Sequence, residues 1–244
     1  MRTVYGLAIA ALCIACAASV FAGDIVTVPT ANQLKAGEFD VAGYYIGVDK
    51  RGNPGPDWIH AETLYYGVTD DFEVDLHFYQ VDKVVDGGTL LDPERDSVVL
   101  IASYRLVPET PTTPIVVIGG RNLTKARTST YPGPAGIPTR DRSWYLSAAK
   151  TLNPPGPGGP KWPIVRLHLS VGTADNTLFA ADRHKGLFGG AQLRLSPTTG
   201  LAILHDSRDL ITGLTYDPIK ELTVKGGTFG THWWLGVSYA KSFK

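Results

Sequence analysis

One pair of side chains in this chain has the types and spacing of a nucleophile and its base: His168 and Ser170, in the run His168-Leu169-Ser170. A histidine that takes the seryl proton turns the hydroxyl into a nucleophile, provided an acid orients the imidazole. At i and i+2 the two share one face of a strand with Arg166, and that face is polar, whereas a lipid-modifying site on a barrel must reach lipid. Polar filling is the expected role, so no catalytic residue and no enzyme is expected. Metal chemistry is not expected either. His60, His77, His168, His184, His205 and His232 fall on separate segments without short ligand spacing. Asp24, Asp70-Asp71, Asp82, Asp86 and Asp92 are turn residues first. The pairs Gly87-Gly88, Gly119-Gly120, Gly189-Gly190 and Gly226-Gly227 lack the strand-to-helix setting of a phosphate cradle, so no cofactor is expected. Lys125, Arg127, Arg140 and Arg142 share the loop at 124–142, where solvation is the expected role and contact with polysaccharide or lipopolysaccharide phosphates the alternative.

The segments that would position these groups begin after a leader. Arg2 supplies a short positive region, residues 4–21 are apolar, and Ser19-Val20-Phe21-Ala22 ends in small residues suited to cleavage after Ala22. About 18 apolar residues approach the length of a membrane anchor, but the Ala-rich composition and the small-residue end favour cleavage. Lipidation is not expected, since Cys13 stands where a lipobox places Leu before Cys16. With Cys13 and Cys16 both in the leader, the rest of the chain offers no disulfide or thiolate site. The 23 basic and 23 acidic side chains balance, which argues against a nucleic-acid partner.

Alternation is the recurring pattern. In Phe72-Glu73-Val74-Asp75-Leu76-His77-Phe78 the apolar side chains share one face of a strand and the ionisable ones the other. Val165, Leu167, Leu169 and Val171 alternate likewise with Arg166, His168 and Ser170. Read this way, strands are expected near 39–48, 58–68, 71–81, 96–106, 115–123, 143–151, 164–173, 187–195, 200–206, 210–216, 219–227 and 232–243, twelve in all, with none of the 17 prolines inside them. The first, third, fifth and seventh links are mostly longer than the links that follow them, the asymmetry of outer-membrane barrels with short periplasmic turns and longer outer loops. The run at 153–163, NPPGPGGPKWP, departs from it.

Alternation alone leaves open which face is outside. Mixed charge on the polar face, aromatic residues near strand ends and the final strand favour lipid on the apolar face. That final strand, Gly236-Val237-Ser238-Tyr239-Ala240-Lys241-Ser242-Phe243-Lys244, resembles the signal read by the outer-membrane assembly machinery, a partner it implies. The lumen-lining set is then Glu73, Asp75, His77, Arg105, Arg121, Arg166, His168, Arg194, Glu221 and Lys225.

Two stretches resemble the YjbH-like outer-membrane β-barrels. One is Gly23-Asp24-Ile25-Val26-Thr27-Val28-Pro29-Thr30-Ala31 with Leu34 and Gly37. The other is the hairpin cadence of Gly190–Pro197, Leu210–Tyr216 and Leu235–Tyr239. The resemblance covers the two ends and implies an envelope role linked to exopolysaccharide, in a chain much shorter than the larger members. The expectation is an all-β, transmembrane, antiparallel up-and-down barrel of about twelve strands over 39–244. It follows a cleaved leader at 1–22 and a periplasmic segment at 23–38. The expected partners are outer-membrane lipid and lipopolysaccharide, with polysaccharide as a further one. The barrel would act without catalysis, as a pore or in an envelope role. Two alternatives stand beside it: a soluble periplasmic or secreted β-barrel that binds a ligand, and an outer-membrane lipid hydrolase using His168 and Ser170.

Overall fold

The alternation read in the sequence becomes a wall. In the computed structural model, strands β1 (Glu38–Gly47), β2 (Trp58–Gly67), β3 (Phe72–Val81), β6 (Ser97–Val107), β7 (Ile115–Arg121), β8 (Ser143–Thr151), β9 (Ile164–Asp175), β10 (Arg183–Arg194), β11 (Thr199–His205), β12 (Leu210–Ile219), β13 (Leu222–Phe229) and β14 (His232–Ser242) form a closed barrel. Each pairs antiparallel with its neighbours in chain order, and β1 closes the ring on β14 from Glu38↔Ser242 to Ile46↔Trp234. The structure describes residues 28–47, 58–81, 84–86, 89–91, 97–124, 142–152, 162–175, 183–230 and 232–243. The expected leader at 1–22, residues 23–27, Asp82, Gly87-Gly88, Asp92, Lys125, Arg127 and Arg140 lie outside them. Among the described residues there is no helix, and none long and apolar enough to cross a membrane.

Closure satisfies every strand edge, so the wall needs no covering layer. Its faces follow the two-residue period. Leu169, Leu187, Leu214 and Leu235 point outward and are exposed, while Glu73, Asp75 and His77 point inward and are buried. The start of β1 and the end of β14 meet at one end, called the terminal end, where the Phe243 amide donates to the Gly37 carbonyl at 3.1 Å. This terminal end also carries the links 68–71, 108–114 and 195–198; the opposite, far end carries the link 206–209 and the turn at Gly230.

Three sequence expectations are revised. The link after β3 holds a two-stranded hairpin of its own, β4 (Val84–Asp86) with β5 (Thr89–Leu91). Pro218 lies inside β12, at a bulge where the register shifts between Tyr216 and Ile219, one of the few strand positions where a missing N–H is tolerated. Glu221, assigned to the lumen, instead sits in the turn Lys220-Glu221, because β12 runs on to Ile219.

The largest departure concerns residues 28–37. Expected to precede the barrel in the periplasm, they run inside it. Val28, Ala31 and Leu34 are almost fully buried, and the stretch leaves the lumen through a turn at Gly37, whose φ of 75° favours glycine. Gly67 permits the passage: a Cβ there would lie 2.0 Å from the Lys35 carbonyl oxygen.

Candidate functional site: the lumen and its inserted segment

The interior divides into two halves. Toward the far end it is apolar. Tyr44, Ile46, Leu204, Ile211, Phe229 and Trp234 converge there, and Val28 at the tip of the inserted segment joins them. The Trp234 indole N–H donates to the Thr212 carbonyl at 3.0 Å, so its ring packs among apolar neighbours with its one polar group satisfied. A second apolar contact, Ala31 with Ile115, Val117 and Ala149, fastens the segment to β7 and β8.

Toward the terminal end the interior is polar, and the inserted segment is tied to it by side chains from around the wall. The Leu34 amide donates to Glu73 Oε2 at 2.6 Å and the Ala36 amide to Asp70 Oδ1 at 3.1 Å. Gln33 Nε2 donates to Ser103 Oγ at 2.8 Å, and Asn32 Nδ2 to Gln192 Oε1 at 3.3 Å. The first two bonds satisfy backbone amides of a stretch outside the ladder, and the last two tie its side chains to the wall.

Of the sequence-assigned lumen residues, Glu73, Asp75, His77, Arg121 and His168 are buried and Arg105, Arg166, Arg194 and Lys225 part-buried, all on inward positions of the wall. The charges of opposite sign are gathered into local pairs. Arg105 reaches Asp71 at 2.7 Å, and Arg194 meets Asp217, which also accepts from Thr223 Oγ1 at 2.7 Å. Arg166 meets Glu109 Oε2 at 2.6 Å and Thr151 Oγ1 at 2.8 Å. Lys225 Nζ donates to the Tyr44 hydroxyl at 2.9 Å. Glu109 belongs to the β6–β7 link at the terminal end. Burial alone would raise its pKa, but the Thr151 amide and the Arg166 guanidinium outweigh that and hold it below the usual carboxylate range.

His168 and Ser170 are not brought together as a dyad. His168 Nε2 lies 3.0 Å from Gln192 Oε1, and Ser170 Oγ lies 2.7 Å from Ser147 Oγ and 3.5 Å from the Pro29 carbonyl. Both are covered by the inserted segment, away from the outer face. Among the described residues no three histidine, cysteine or acidic side chains cluster as a metal site would require.

No family model and no curated protein matches the chain. Two outer-membrane proteins are among the solved structures similar to it. The COG4313 outer membrane channel from Pseudomonas putida F1 is 16% identical, with 92% of this chain and 100% of that chain covered at a TM-score of 0.44. The Yersinia pestis outer membrane protein Ail is 14% identical, with 84% of this chain and 99% of that chain covered at a TM-score of 0.22. At this distance no residue's role transfers from either.

The apolar half of the lumen and the inserted segment are what sequence reasoning missed. The apolar half had a signal: Val98-Val99-Leu100-Ile101-Ala102 is apolar on both faces, the mark of a strand covered on both sides.

Proposed function

We propose that the chain is a bacterial outer-membrane β-barrel that acts without catalysis, and that its lumen at rest is closed by residues 28–37 and by the aromatic cluster beyond them. One observation carries the reading: the closed wall turns its leucines outward, with Leu187 at 70% and Leu169 at 62% exposure, while Asp75 and His77 lie inside at 4% and 0%. A water-soluble barrel of this sequence would leave that apolar area in water at roughly 25 cal/mol per Å²; lipid removes the penalty, and a closed sheet is one of the two forms in which a backbone can span it. Aromatic side chains near both ends of the wall, Trp144 and Trp233 at the far end and Tyr104 and Tyr216 nearer the terminal end, fit the two interfaces.

The pore role follows as the proposal's second part: displacement of residues 28–37 opens the polar half of the lumen to solute. The YjbH-like resemblance adds the class of solute or process, an exopolysaccharide-linked envelope role, and rests on the two stretches quoted for it. The soluble ligand-binding alternative needs the opposite facing of the wall, and the hydrolase alternative needs His168 and Ser170 within reach of lipid.

The deciding experiment is fractionation of the expressed protein followed by gel mobility of the membrane fraction with and without boiling. Recovery in the outer membrane with a heat-dependent shift is expected. Recovery in the soluble periplasm without a shift overturns the proposal.

A further inference from the structure

The outer face of the wall is interrupted by one acidic side chain at mid-height among its described residues. Glu62 stands midway along β2, beside Gly43 in β1 and Phe78 in β3, and points outward. On the same face Tyr45 lies toward the far end and Tyr66 toward the terminal end, so Glu62 falls between the two aromatic levels. Among the described side chains the other charged groups that face outward, Lys150, Lys185 and Lys241, lie near strand ends. His60, two residues away on the same face, stacks on Tyr45 at 4.7 Å, and its Nε2 stops 3.9 Å from Glu62 Oε1. That distance is an ion-pair contact but not a hydrogen bond. The Glu62 side chain keeps 46% of its surface exposed.

A charged side chain on the lipid face of a barrel is most destabilising at mid-depth. Acyl chains offer no donor there, and lipid headgroups lie at the aromatic levels. Whatever covers Glu62 must be apolar around it and present a donor within reach of its carboxylate. The chain's own face has that composition. Val41, Leu64 and Phe78 surround an acid and a base, and Gly43 leaves open space beside them, with nothing within 4 Å of a Cβ built there.

We propose that the outer face of β1 and β2 is the contact between two copies of this chain, related by a two-fold axis parallel to the barrel axis, in which His60 of each copy bonds Glu62 of the other. Such an interface uses the same patch twice, so one acid and one base two residues apart supply both halves of two equivalent pairs. Excluding water and lipid from the pair strengthens each charge-assisted bond. The inference rests on the lipid-facing reading proposed above.

The test uses the full chain purified from membranes in mild detergent, with the heat-dependent gel shift checking the barrel and native mass reporting copy number. The mass of two copies is expected. His60→Glu sets like charges against one another and is expected to weaken the dimer at least tenfold, and adding Glu62→His in the same chain is expected to restore it. A second measurement needs no charge change. Cys13 and Cys16 are the only cysteines, both in the leader, so Gly43→Cys oxidised in intact membranes is expected to give a disulfide-linked pair. Leu169→Cys, on the opposite wall, is expected to stay single. A monomeric mass, or cross-linking from Leu169→Cys as readily as from Gly43→Cys, overturns the dimer. A dimer indifferent to His60→Glu overturns this face. Loss of the heat shift in the unaltered protein overturns the lipid-facing reading instead.

Discussion

The two halves of the lumen are closed by different physics. At the far end Phe229, Ile211 and Leu204 are 0% exposed and fill the barrel as a core does, with side chains of the wall itself. At the terminal end the filling is a separate piece of chain, residues 28–37, held by single hydrogen bonds to Glu73, Asp70, Ser103 and Gln192 and by the small apolar contacts of Val28 and Ala31. Packed side chains cannot leave without unfolding the wall, since they are part of its strands. A tethered backbone segment can, because each bond it gives up can be replaced by water. The difference separates what makes the barrel stable from what could make it open.

The largest expected effect breaks the apolar half. Phe229→Ala leaves a cavity among Tyr44, Ile211 and Trp234 and should cost about 3–5 kcal/mol, seen as a lower temperature for the heat-dependent gel shift. Conductance should stay closed, since the inserted segment is untouched. Gly67→Ala is the counterpart in the polar half. Its Cβ meets the Lys35 carbonyl at 2.0 Å, and backbone must move. A cost of about 1–3 kcal/mol is expected for such overpacking, but the sharper readout is a rise in planar-bilayer conductance, with the gel shift retained, when Gly67→Ala is combined with Phe229→Ala, which opens the far half. A closed double variant sinks the idea that the segment is the gate. Glu73→Ala follows, removing the acceptor of the Leu34 amide without steric pressure. About 1–3 kcal/mol is expected from the unsatisfied buried N–H, with faster proteolysis around residues 28–37 as the measurement.

Much of the wall was legible because a strand's period is short and local. Phe72 to Phe78 announces its two faces within seven residues, and all the residues assigned to the lumen except Glu221 stand on the inward face by the same parity. What was not legible depends on closure. Val28-Pro29-Thr30-Ala31-Asn32-Gln33-Leu34 has neither alternation nor a pairing partner in sequence, and its place follows from the width of a lumen that exists only once β1 meets β14. The outward turn of Glu62 was masked for a related reason. Its inward neighbours Ala61 and Thr63 are small and ambiguous, so the strand is read from Leu64 and Tyr66 alone. Pro218 argued for a turn and instead marks a bulge, because the ladder shifts register around it.

The smallest expected effect probes the rim of the polar half. Glu109 joins β6–β7 to β8 and β9 through the Thr151 amide at 2.6 Å and the Arg166 guanidinium. Its pKa in the folded barrel is held below the unfolded value of 4.5, against the opposing pull of burial. The ionised form is therefore the one that folding favours, and its stabilisation is fully present above that unfolded value. It is lost as pH falls from there through the lower folded value. Acidification should thus lower the gel-shift temperature of the unaltered protein below pH 4.5 more than that of Glu109→Gln, whose amide does not titrate in this range. Because the pair is partly solvated, added salt should narrow the difference between the two proteins at neutral pH. Equal acid sensitivity of the two would remove Glu109 as the source of the effect.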